Sequence, residues 1–140
     1  MGNQNTSHFE RLKDLPSTLS DSQCVLYKHE ILICGGFRKE NCYSYHTIKN
    51  KYKFICDYPS NIELYGHCVV KLIDNKNEIT LLSFGGSIKH TLMMKHASIW
   101  DNNNKIKKSN NYNQWIPFTD NHNNQLSLEE IKIIIMECVQ

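Results

Sequence analysis

The sequence has no apolar run long enough to cross a membrane. A spanning helix needs roughly 18 consecutive apolar residues, and the apolar runs here are much shorter. No apolar segment typical of a secretory signal follows the start of the chain. We therefore expect a cytoplasmic protein without a transmembrane segment, in which the six cysteines remain free thiols.

An excess of charge of one sign is also absent. The net charge is +2, and the lysines are interspersed with aspartates and glutamates. A surface that binds nucleic acid usually shows a strong basic excess along one stripe. The basic run at residues 105–108 lies among asparagines, which is typical of a solvated loop. The sequence therefore predicts no nucleic-acid partner.

The usual signatures of catalysis and metal binding are missing as well. No Cys-x-x-Cys or His-x-x-x-His pair occurs among the cysteines and seven histidines, so the spacing of a structural zinc site is lacking. A phosphate-binding glycine loop and a Gly-x-Ser-x-Gly elbow are absent too. The sequence predicts no catalytic residue, no cofactor and no metal ligand.

What the sequence does contain is an internal repeat. Double glycines at 35–36 and 85–86 each follow an apolar run and lie 50 residues apart. An earlier apolar run in each unit contains a cysteine, and these cysteines, Cys24 and Cys68, lie 44 residues apart. The spacing of the double glycines exceeds the spacing of the cysteines by six residues. A longer polar turn at 74–77 in the second copy accounts for this difference.

A second matched element precedes each copy. Phe9 and Pro16 are separated by seven residues, and Tyr52 and Pro59 show the same separation 43 residues later. Between these markers each unit contains short runs rich in Val, Ile, Leu, Tyr and Phe, which predict strands divided by polar turns. The predicted strands are 23–27, 30–34, 42–46 and 52–56 in the first unit, and 67–73, 78–84, 96–100 and 114–118 in the second.

Four strands in 43 to 50 residues is the period of a β-propeller blade. The sequence resembles kelch repeats in its apolar strand ending in a double glycine, in the aromatic residues that follow, and in a Gly-His pair before a first strand. The residues that carry this resemblance are Gly35, Gly36, Tyr45 and Tyr52 in the first unit and Gly66, His67, Gly85, Gly86, Trp100 and Trp115 in the second.

The resemblance covers residues 9–118 and implies an all-β fold, an incomplete propeller. Its two four-stranded antiparallel blades would occupy about 18–60 and 61–118, and residues 9–17 would be a strand belonging to a neighbouring blade. Several features depart from the family: Tyr52 stands where kelch repeats usually have Trp, Gln23 stands where the second unit has His67, and the second unit has a polar insertion at 101–112. The larger departure is the number of blades, because a closed propeller typically needs about four to eight. Residues 1–8 are predicted to be a flexible leader, and 119–140 a polar linker and tail.

The tail supports two interpretations. Ser127 and Glu130 have the spacing of a helix capping box, which favours a short helix. The β-branched isoleucines at 131 and 133–135 favour a strand instead.

The resemblance implies a non-catalytic protein-interaction module whose protein partner the sequence does not identify. The alternatives are a fragment of a kelch-type propeller enzyme and a truncated product without independent function. A homo-oligomer would allow copies to complete one another's ring. Gly2 lies in a pattern typical of N-myristoylation, and one such chain would give weak, reversible membrane attachment.

Overall fold

The computed structural model describes residues 12–75, 78–100 and 111–119, together with His122, Asn124 and Glu130. These residues form an all-β fold, as the sequence predicts. The strands are β1 (Gln23–Tyr27), β2 (Glu30–Gly36), β3 (Lys39–His46), β4 (Lys51–Asp57), β5 (His67–Asp74), β6 (Ile79–Gly85), β7 (His90–His96) and β8 (Ile116–Pro117).

The strands form two antiparallel sheets of four strands. Sheet 1 has the order β1-β2-β3-β4 and sheet 2 the order β5-β6-β7-β8, so within each sheet neighbouring strands are consecutive along the chain. Short hairpin turns produce this order. In sheet 1 the pair Tyr27 and Glu30 encloses a two-residue turn, and the pair Gly36 and Lys39 encloses another.

The two sheets pack against each other through one face of sheet 1, called here its front face. Along β1 the side chains of Val25 and Tyr27 are buried, whereas Cys24 and Leu26 between them are exposed. The core shared by both sheets consists of Val25, Tyr27, Leu32, Cys34, Cys42, Tyr58, Leu64, Val69, Ile79, Leu81, Leu92, Met94 and Trp115. Because the cluster is contiguous, neither sheet buries its apolar side chains alone.

The first strands of the two sheets lie side by side. The Gln23 side chain accepts a hydrogen bond from the Val69 backbone amide at 3.5 Å, and the Lys71 ammonium donates to the Leu26 carbonyl at 3.2 Å. β1 and β5 are therefore linked by direct hydrogen bonds as well as by the core.

The prediction for the third strand of the second unit was wrong. β7 occupies His90–His96 and not 96–100, so Trp100 lies beyond the strand. A short turn after β6 places His90 opposite Gly85. The strand therefore starts at His90, six residues earlier than predicted. The turn of a hairpin sets its register. The prediction instead placed the strand by the aromatic residue Trp100, which the repeat pattern expects at the end of a third strand.

The N-terminal strand is also not found in its described part. Residues 12–17 form no strand, although they lie against the back of sheet 1. The Tyr52 hydroxyl donates to the Lys13 carbonyl, and the hydroxyls of Ser17 and Tyr43 are 3.3 Å apart. Residues 9–11, most of the insertion and, except for Glu130, the tail from 125 onwards lie outside the described residues.

Within the part of the chain that is described, no helix is long and apolar enough to span a membrane.

The hairpin turn between β1 and β2 generates a stability prediction. Lys28 has φ 53°, in the left-handed region that costs a residue with a side chain about 1–2 kcal/mol. Replacing Lys28 by glycine removes this cost, and the greater flexibility of unfolded glycine offsets part of the gain. We expect Lys28→Gly to raise the free energy of unfolding by roughly 0.5–1 kcal/mol in urea titrations.

The matched control for this prediction is Lys49→Gly, because Lys49 is exposed in another turn of sheet 1 and does not have positive φ. This substitution should lower the free energy of unfolding. Equal effects of the two substitutions would contradict the assignment of strain to Lys28.

Candidate functional site

The double glycines allow the chain to pass closely over the end of each sheet. A Cβ atom on Gly36 would lie 2.6 Å from the carbonyl oxygen of Ser20, in the segment that leads into sheet 1. A Cβ atom on Gly86 would lie 3.0 Å from the carbonyl oxygen of Glu63, in the segment that leads into sheet 2. In both units the second glycine of the pair therefore lies close to a backbone carbonyl of the segment that leads into its sheet.

A groove opens at this end of the sheets, where the β2–β3 turn faces the connection between the sheets. Its volume is about 610 Å³. We call it the glycine-end groove, and its lining consists of residues 37–40, residues 62–65 and Ser87. The floor is closely packed, because a Cβ atom on Gly35 would lie 2.3 Å from the Leu64 side chain. Gly66, which follows this lining, has φ 73°.

Two aromatic rings stand at the groove with much of their surface exposed. Phe37 and Tyr65 are 37% and 59% exposed, and their ring centroids are 5.2 Å apart in an edge-to-face arrangement. The guanidinium of Arg38 lies 5.1 Å from the centre of the Phe37 ring. With Lys39, Glu40 and Glu63 in the lining as well, the groove combines apolar rings with charges of both signs.

The predicted tyrosines lie on the other side of sheet 1. The rings of Tyr45 and Tyr52 are 4.7 Å apart, and the Tyr45 hydroxyl donates to the Asn50 side chain. These rings pack on the back of sheet 1, so the structure does not bring them to the groove.

The predicted tryptophans, in contrast, contact the front of sheet 1. Trp115 stacks on Tyr58 at 4.7 Å, and its indole N–H donates to the Cys42 sulfur at 3.4 Å. Trp100 donates to the Ser44 hydroxyl at 2.8 Å, and the Lys53 ammonium lies 4.5 Å from the centre of its ring. Both tryptophans therefore join the segments around sheet 2 to sheet 1.

His67 connects the sheets near the groove. It is 2% exposed, and its Nε2 atom is hydrogen bonded to the Cys34 carbonyl at 2.9 Å. Beside it the Tyr58 hydroxyl donates to the Ser83 hydroxyl at 2.9 Å, and Ser83 lies 2.8 Å from Nε2 of His90. Ser83 therefore links the Tyr58 hydroxyl to the His90 imidazole inside the core. Burial and the neighbouring His67 hold the pKa of His90 below its ordinary value.

A second buried polar contact joins the sheets near β1. Glu30 and His96 are 3% and 0% exposed, and Nε2 of His96 lies 3.2 Å from a Glu30 carboxylate oxygen. The Ser44 hydroxyl donates to the same oxygen at 2.6 Å. Burial tends to raise the pKa of Glu30, but the hydrogen bonds from His96 and Ser44 hold this pKa below its ordinary value. Glu30 therefore has both of these partners only when the two sheets are in place.

Among the described residues, no group of three or more His, Cys, Asp or Glu side chains is placed to hold a metal ion. The five described cysteines are free thiols, and Gly2 lies outside the described residues. No known protein family, curated protein or solved structure matches the chain.

The buried His90 predicts a pH dependence of stability. Its pKa is lowered in the folded chain from an ordinary value of 6.5, so the unfolded chain binds more protons as pH falls through this value. The stabilising contribution of His90 is complete above pH 6.5 and is lost between pH 6.5 and its lowered folded pKa. His90→Gln should therefore flatten the decrease in the free energy of unfolding between pH 7.5 and about 5.5.

The control for the pH experiment is His29→Gln, since His29 is an exposed turn residue. We expect this variant to keep the wild-type slope in chemical denaturation across the same pH range. If the free energy of unfolding of His90→Gln depends on pH as steeply as that of the wild type, His90 does not contribute to this pH dependence.

Proposed function

We propose that the chain is a non-catalytic protein-interaction module of kelch type, and that its two sheets are consecutive propeller blades. The observation that carries this proposal is a contact found at both double glycines. Gly36 and Gly86 each lie against the backbone of the segment that leads into their own sheet. Two antiparallel sheets with strands in chain order, and first strands that lie side by side, also fit neighbouring blades.

The glycine-end groove is the binding surface in this proposal. Turns held by sheets present side chains at fixed positions, which suits recognition of a partner. Aromatic and arginine side chains dominate the binding energy of many protein interfaces, and Phe37, Arg38 and Tyr65 meet at this groove. Its volume of about 610 Å³ accommodates several side chains of an extended peptide. We therefore expect the partner to insert a short apolar segment.

A displayed library of random peptides tests the groove even though the natural partner is unidentified. We expect the wild-type chain to enrich a consensus peptide, and Tyr65→Ser to weaken its binding about tenfold or more, as for an aromatic hot spot. Because Tyr65 is 59% exposed, the substitution should leave the thermal melt unchanged. The recovered peptide should keep its mass, as expected for binding without chemistry.

The matched control is Ile48→Ser, which alters an exposed apolar residue in the β3–β4 turn at the opposite end of sheet 1. This variant should bind the peptide as the wild type does. Absence of any enriched peptide, or equal binding by Tyr65→Ser, would reject the groove as the binding surface.

A further inference from the structure

Three cysteines stand in a row across neighbouring strands of sheet 1. Cys34 of β2 pairs directly with Cys42 of β3, and Cys42 pairs directly with Cys56 of β4. Directly paired residues of antiparallel strands have Cα atoms about 4.5 to 5.5 Å apart, which lies within the range found for disulfides. The backbone therefore places Cys42 within reach of either neighbour. We call these three residues the cysteine row.

The hydrogen bonds of the row differ between its members. The Cys42 sulfur accepts the indole N–H of Trp115 at 3.4 Å, and its own thiol donates to the Glu40 carbonyl at 3.9 Å. The Cys56 thiol donates to the Met94 sulfur at 3.9 Å. Burial tends to raise the pKa of Cys42, but its hydrogen-bonding neighbours hold this pKa below its ordinary value. The neighbouring Cys42 and burial raise the pKa values of Cys34 and Cys56, so Cys42 is the thiol of the row that gives up its proton most readily.

Access to solvent distinguishes the members in another way. Cys34 and Cys42 are 0% exposed, whereas Cys56 is partly exposed on β4, the last strand of sheet 1. Cys24 and Cys68 are exposed but are paired with Ile33 and Phe84. Within the row, Cys56 is therefore the thiol most accessible to a reagent from solution. Cys42 is its direct partner on the neighbouring strand.

We propose that the cysteine row is a modification site for low-molecular-weight disulfides such as glutathione disulfide, and that the reaction ends in a disulfide between Cys42 and Cys56. This inference does not depend on the proposed binding function. It concerns three side chains in and beside the core between the sheets, which are not among the residues that line the glycine-end groove.

The reaction proceeds by two thiol–disulfide exchanges. In the first, Cys56 gives up its proton to water and its sulfur attacks glutathione disulfide, whose S–S bond breaks and releases one glutathione thiolate. The released thiolate takes up a proton, and Cys42 gives up its own. In the second, the Cys42 thiolate attacks the Cys56 sulfur, breaks the mixed disulfide and releases the second glutathione as a thiolate. The two protein sulfurs lose two electrons, and glutathione disulfide gains them.

The new bond would change the contact between the sheets. The Cys42 sulfur, which accepts the indole N–H of Trp115, would be bonded to Cys56 and shifted towards β4. The partly exposed Cys56 sulfur, which lies 3.9 Å from the Met94 sulfur, would be drawn towards β3. Oxidation is therefore expected to shift the Trp115 fluorescence.

The test treats the purified full chain with glutathione disulfide and follows its mass. Cys24, Cys68 and Cys138 are replaced by serine so that the row contains the remaining thiols. We expect a product lighter by two hydrogen atoms, and peptide mapping should join the peptides of Cys42 and Cys56. Cys42→Ser should accumulate the mixed glutathione disulfide on Cys56 and form no internal bond, and Cys56→Ser should form neither.

Cys34→Ser is the matched control, because Cys34 is paired with Cys42 on the opposite side and should leave the rate unchanged within about twofold. If Cys42→Ser fails to fold, the peptide map of the intact row still decides the question. No loss of hydrogen, glutathione retained on Cys56 in the intact row, or a bond between Cys34 and Cys42 would each overturn the proposal.

Discussion

The contact between the two sheets is the constraint on which the rest of the structure depends. The front of sheet 1 contributes Val25, Leu32 and Cys42 to a core that sheet 2 completes with Leu81 and Met94. Buried polar groups also depend on the contact between the sheets, because a polar group without its partners is costly in an apolar interior. Glu30 is paired with His96 of the other sheet, and the Cys34 carbonyl is paired with His67. The geometry of the groove follows, since its lining comes from both sides of this contact.

Much of the fold could be predicted because the relevant signals are local. β1 begins and ends at the predicted residues, and β2 extends the predicted strand only through its double glycine. Alternating or continuous apolar runs between polar turns are enough for such strands. The start of β7 was predicted wrongly because the four-residue turn from Gly86 to Lys89 sets it, while Trp100 was a stronger marker in the sequence. The turn at Lys28 likewise has no glycine or asparagine at its positive φ.

The site was less accessible to sequence reasoning, because it depends on contacts between distant residues. The double glycines were identified from their repeat and His67 from the family resemblance, and Gly86 and His67 lie next to residues 62–65 of the groove lining or to Gly66 that follows it. Phe37 and Tyr65 were missed since they meet across a separation of 28 residues that no repeat connects. The cysteine row was missed for a related reason: cysteines at 34, 42 and 56 have no recognisable spacing, and pairing of three strands alone aligns them.

Hydrogen exchange under increasing denaturant is the most direct measurement of whether the two sheets form one structural unit. If the shared core and the Glu30–His96 contact hold both sheets together, the protected amides of β2 and β6 should exchange with the same free energy of opening and the same dependence on denaturant. Sheets that open at clearly different free energies would contradict this account, because each would then be stable without the other.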